Sequence, residues 1–156
     1  MPEEHPDWAA ELGLTGEVGL VTRVVRLNLF VSRLLDSLAE KAGLSAADYL
    51  VLAVVCRSPG GHASPGHMAE LLGRSTGGLS LTIDRLVNAG LLERARHPDD
   101  GRRTVVSATA EGNRRWKVVS TALRKVERGL PLGPAPRAEL DAALDHLLEV
   151  FEPPNW

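Results

Sequence analysis

Between Ser64 and Thr109 the chain is punctuated so closely that few architectures accept it. Ser64-Pro65 reads as a cap and start for a short helix through Leu72, because proline is tolerated at the first helical position. Gly73 closes that helix, and Ser75 is a good N-cap for another over about 76–89. Leu79, Ile83 and Leu86 give the second helix one apolar stripe, and Gly90 suits a left-handed C-terminal cap. The runs "LLERA" and "RTVVSA" then have strand character, with "RHPDDG" between them as a hairpin turn. In that turn Pro98 fixes one side, and Gly101 supplies the positive φ that a tight tip requires.

Two short helices joined by a glycine-containing turn form a helix-turn-helix, and the hairpin after them makes it a winged helix-turn-helix. Longer helical patterns flank this centre. Over 16–41, Leu20, Val24, Leu27, Val31, Leu34 and Leu38 recur at three- and four-residue spacing. After Gly43, "SAAD" (Ser45–Asp48) resembles a capping box, and the helix it opens, about 46–57, is apolar almost all round and belongs in the core. Thr109 caps a fifth helix, about 110–128, with Trp116, Val119, Leu123 and Val126 in one row. A last helix, about 136–152, carries Leu140, Leu144, Leu147, Leu148 and Phe151. The expected fold is mainly α with a small β-hairpin, arranged as one compact unit. It has an N-terminal dimerisation helix region (1–44), a winged helix-turn-helix (45–109) and C-terminal dimerisation helices (110–156). The outer helices carry more apolar face than one small domain covers, and a second copy of the chain is the economical partner.

Charge separates along the chain. The formal total is −2, yet residues 74–128 hold twelve Lys/Arg against six acids while both ends are acidic. A basic segment of this kind suits a surface facing a polyanion; a solvated charged face is the plainer alternative. The acidic start "MPEEHPDW" lacks the apolar run of a signal peptide, and "YLVLAVVC" is too short to span a bilayer. The single cysteine, Cys56, excludes an internal disulfide and suits a reducing cytoplasm, the expected location. His5, His62, His67, His97 and His146 form no zinc motif; His62 and His67 with Cys56 are the one conceivable cluster, and solvated loop histidines are the expectation. No nucleophile–base–acid grouping or phosphate-cradling glycine motif is present, so neither catalysis nor a cofactor is expected.

Three stretches resemble the MarR family of bacterial transcription regulators: "STGGLSLTIDRLVNAGLLER", "HPDDGRRTVVSATAEG" with its Asp-x-Arg and T-x-x-G, and "GLSAADYLVL". The resemblance implies a homodimer that binds pseudo-palindromic double-stranded DNA, represses promoters, and is commonly released by a small-molecule effector. It implies Ser75, Thr76, Gly77, Gly78, Ser80, Leu81, Thr82 and Arg85 at the DNA, joined by Arg102 in the minor groove, with Arg103 on a phosphate or in an ion pair at the wing base and Asp100 orienting the wing. For Arg85 the competing role is an ion pair with Asp84 or another neighbour. Many members carry Arg, Lys or Asn where Leu81 and Thr82 stand, so thymine-methyl contacts and DNA shape have more of the specificity to supply. A winged helix that has lost base reading and acts through protein partners or nonspecific DNA is the alternative.

Family members bind effectors in a cleft between the dimerisation helices and the winged helix. Candidates to line it here are Arg23, Arg26, Tyr49 and Trp116, each also suited to a structural role. "STGG" is similar to the urate-responsive subgroup, in which Asp follows the second helix's aromatic residue; Leu50 stands there instead. The peroxide-sensing branch places its cysteine in the first helix, whereas Cys56 ends the second, where a buried, inert thiol is expected.

Overall fold

The computed structural model describes residues 19–96 and 104–152. Six helices are described: α1 (Leu20–Glu40), α2 (Ala46–Arg57), α3 (Pro65–Leu71), α4 (Thr76–Asn88), α5 (Ala110–Gly129) and α6 (Pro134–Phe151). Three strands accompany them: β1 (His62–Ala63), β2 (Leu92–Arg96) and β3 (Thr104–Ala108). The chain divides into two compact units, the first through Leu123 and the second from Arg124.

The start of α2 follows from its capping box. The Ser45 hydroxyl accepts from the Asp48 amide, and the Asp48 carboxylate accepts from the Ser45 amide, so two donors orphaned at the helix start are satisfied together. Tyr49, Val51, Leu52 and Val55 are buried, and α2 packs against α1, α3, α4, β1 and β3. It is the centre of the first unit, as its nearly continuous apolar sequence requires. Leu79, Ile83 and Leu86 of α4 and Val105 and Val106 of β3 complete that core. Gly73 (φ +57°) and Gly90 (φ +69°) end α3 and α4 in the left-handed region, where a side chain is disfavoured.

The hairpin gains a third strand. β3 lies between β2 and β1 in an antiparallel sheet, with Arg94 opposite Val106 and His62 opposite Ser107. β1 lies within "SPGGHASPGH", whose glycine and proline content reads as a break; two residues are too few to set up an alternating pattern. Gly60 and Gly61 adopt positive φ just before it and turn the chain into the sheet.

α5 begins where the sheet ends. Thr109 Oγ1 accepts from the Gly112 amide and donates to the Gly90 carbonyl, tying the α5 start to the α4 C-terminus. A Cβ on Gly112 would stand 2.0 Å from the Leu91 carbonyl oxygen, so only glycine permits this crossing. In α1 only Leu38 and Ala39 are buried; Leu20, Val24, Leu27, Val31 and Leu34 are all exposed. Within α6 no residue is buried, and Leu140, Leu144, Leu148 and Phe151 are exposed. Among the described residues no helix is long and apolar enough to cross a membrane.

Candidate nucleic-acid interface

The helix-turn-helix formed by α3 and α4 presents one polar and small-residue row to solvent. The Ser75 hydroxyl caps α4 by accepting from the Gly78 amide at 3.3 Å. Thr76, Gly77, Gly78, Ser80 and Leu81 are all exposed, opposite the buried Leu79, Ile83 and Leu86. Leu81 is 73% exposed, a large apolar side chain in an otherwise small and polar row. The Ser80 hydroxyl donates to the Thr76 carbonyl at 2.9 Å, leaving its oxygen lone pairs outward.

Thr82, expected on the flank of that row, is turned inward. It is 6% exposed, and its hydroxyl donates to the Gly78 carbonyl. Its place in the helix puts it beside Ile83 on the core side, and back-bonding satisfies the hydroxyl that burial would otherwise strand.

Arg85 is built into the scaffold as well as exposed. Its Nη2 and Nε donate to Asp48 Oδ1 at 2.5 and 3.2 Å, while Asp48 Oδ2 takes the Ser45 hydroxyl and amide. Burial pushes the Asp48 carboxyl up, but the bonds from Arg85 and Ser45 more than reverse this and hold it below its ordinary value. The Arg85 side chain remains 57% exposed, so one carboxylate anchors the guanidinium without covering it. Asp84, the neighbour in sequence, pairs instead with Arg94 of β2. Sequence adjacency suggests Asp84 for Arg85; one helical residue apart, however, the two side chains point in different directions. The partner that does pair lies 37 residues away, beyond any local pattern.

Residues 42–103 match the MarR family model. In the solved structures the chain is similar to AbsC, a MarR family transcriptional regulator from Streptomyces coelicolor. The two are 29% identical, with 86% of this chain and 97% of that chain covered at a TM-score of 0.66. It is also similar to apo MarR from E. coli (25% identity, 86% and 99% covered, TM-score 0.63). Sco5413, another MarR family regulator from Streptomyces coelicolor, shares the fold at 24% identity (81% and 89% covered, TM-score 0.70). Over the central segment 42–103 the chain is similar to the MarR family. No curated protein matches it in sequence.

Within this MarR family fold, Asp100, Arg102 and Arg103 of the expected wing lie outside the described residues. The candidates for an effector cleft differ among themselves. Tyr49 is buried in the core of the first unit, whereas Arg23 is exposed. Arg26 stacks its guanidinium over the Phe30 ring, 5.4 Å from the centroid, one turn along the same helix. Trp116 Nε1 is buried with no hydrogen-bond partner among the described residues, an arrangement with a real cost in a closed structure.

Burial pushes the Cys56 thiol up to about 11, which leaves it protonated and weakly nucleophilic at neutral pH. His62 and His67 line a cavity of about 210 Å³ with Ser58, Pro59 and Val105, without Cys56. Among the described residues no group of three or more His, Cys, Asp or Glu could hold a metal ion. Sequence reasoning missed the Asp48–Arg85 pair and a cluster on α5, where Glu111 binds both Arg114 and Arg115. Arg114 and Arg115 follow Glu111 at three- and four-residue spacing, a pattern that the sequence does display.

Proposed function

We propose that the chain is a homodimeric MarR-type transcription regulator that binds a pseudo-palindromic operator, acts as a repressor and is released by a small-molecule effector. The observation that carries the reading is the exposed row Thr76, Gly77, Gly78, Ser80 and Leu81 on a capped helix, flanked by the anchored Arg85. The small residues let the helix approach a groove closely. The free N–H groups at the start of α4 suit a phosphate, and Arg85 supplies a charged contact whose orientation is already fixed. Arg102 is assigned to the minor groove and Arg103 to a phosphate on their place in the wing sequence, with Asp100 orienting the turn. The stranded Trp116 Nε1 supports an effector contact, because a ligand acceptor there would satisfy it.

A second reading, a degenerate module with weak sequence specificity, is favoured by Leu81, which has no hydrogen bond to offer a base edge. Selection of genomic fragments by the purified protein at fixed salt separates the two. A sharp inverted repeat is expected for the regulator, and bound fragments without a consensus would select the module. Anisotropy titration of a selected fragment then tests the contacts. Arg85→Ala and Arg102→Ala are each expected to weaken binding across sequences and to reduce the salt slope by about one. Unchanged affinity for both would remove them from the interface.

A further inference from the structure

The Glu111 cluster borders an open cavity of about 310 Å³, lined by Lys41, Ala42, Gly43, Arg114, Arg115 and Val118. Three cationic side chains from two separate elements converge there: Lys41 at the C-terminal cap of α1, and Arg114 and Arg115 in the first turns of α5. One carboxylate orders two of them. Arg114 donates to Glu111 through Nε and Nη2, both at 2.7 Å, and Arg115 through Nε at 2.8 Å, while Arg115 Nη1 reaches the Gly43 carbonyl at 3.5 Å. Arg114 Nη1 and Arg115 Nη2 have no acceptor among the described residues, and the four side chains together carry an excess of two positive charges. The walls offer a single sizeable apolar side chain, Val118, so the cavity has little to hold an aromatic ring.

We propose that this cavity is an oxyanion site for a phosphate group, with Glu111 positioning the two guanidiniums and Lys41 completing the charge. A phosphate dianion matches the excess charge, and its oxygens match donors presented by two planar forks and an ammonium. Two sources offer that chemistry: a free phosphate-bearing small molecule, and the backbone of DNA bound to the same protein.

The test uses the full chain and inorganic phosphate, titrated at constant ionic strength against chloride and followed by the amide resonances of Gly43 and Val118. Saturable shifts are expected in the wild type, with affinity at least about ten-fold lower in Lys41→Gln/Arg114→Gln, since each loses a charge-assisted hydrogen bond. Glu111 and Arg115 are kept, and both altered side chains are exposed, so the fold is expected to survive. Arg114→Lys retains the charge without the fork and is expected to fall between the two. Shifts that rise linearly and equally in all three proteins would overturn the site.

Repeating the titration on the DNA complex separates the sources. If backbone phosphate fills the cavity, free phosphate no longer shifts Gly43, and the double variant lowers the salt slope of DNA binding by about one to two. If the ligand is free, the titration is unchanged by DNA, and so is the slope. Failure of the protein to bind DNA would defeat the proposed function and leave the phosphate titration standing.

Discussion

Asp48 joins two jobs in one carboxylate: it closes the capping box of α2 and holds Arg85 of α4. Its charge is therefore worth more folded than unfolded. Because the folded carboxyl lies below its ordinary value of 3.8, the stabilisation is complete above that pH and is lost as pH falls through the folded value. Asp48→Asn is expected to cost about 1 kcal/mol near pH 7, on the scale of a lost helix cap. Urea unfolding from pH 7 down to pH 3 should show the gap to wild type narrowing in the acid limb; a constant gap would mean that the charge plays no part. Gly77 offers the converse case. A Cβ there meets nothing within 4 Å, and the residue lies inside a helix. Gly77→Ala is expected to raise stability by about 0.5–1 kcal/mol and to weaken operator binding, because the methyl group enters the face assigned to the groove. Gain in both measurements would show that close approach at this position is not needed.

At the scale of elements, the helices were legible where the sequence carries start or stop signals for them. Ser45, Ser64, Ser75 and Thr109 cap helices, and Gly43, Gly73 and Gly90 take the positive φ of helix ends. What the sequence does not display is pairing at long range. β1 exists only because β3 offers it an edge, and Arg85 finds Asp48 rather than Asp84 only once α2 and α4 are packed. Thr82 is a subtler case: a hydroxyl in the middle of an amphipathic helix reads as surface until the depth of the core is known. The T-x-x-G at the start of α5 shows how a motif becomes geometry, since Thr109 bridges Gly90 and Gly112 while Gly112 lies against Leu91. Gly112→Ala forces apart two backbones that have no slack and is expected to destabilise the protein by about 1–3 kcal/mol, as overpacking does. Thermal unfolding checks this, and a melting temperature equal to wild type would show that the crossing can relax.

For the whole molecule, the informative quantity is the apolar surface that the described chain leaves uncovered. In α1 the residues Leu20, Val21, Val24, Val25, Leu27, Leu29, Phe30, Val31 and Leu34 are exposed, and in α6 so are Leu140, Leu144, Leu148, Val150 and Phe151. Singly exposed leucines are ordinary, but contiguous helical stripes on this scale mark an interface. Fully burying one such side chain is worth roughly 1.5–3 kcal/mol and bringing two chains together costs roughly 4–15 kcal/mol, so covering the stripe along its length on both copies, rather than a few residues of it, is what offsets the cost. The proposed homodimer follows from that comparison, and it also bears on DNA binding, because an inverted repeat is read by two recognition helices held at a fixed separation. Leu27→Asp/Val31→Asp places two carboxylates in the middle of the α1 stripe without touching the core of the winged helix. Sedimentation velocity is expected to move from dimer to monomer, and binding to a full inverted repeat to weaken by at least about a hundred-fold as the second half-site contact becomes independent. A variant that remains dimeric would place the interface elsewhere, and a monomeric variant with undiminished operator affinity would show that one copy reads the site alone.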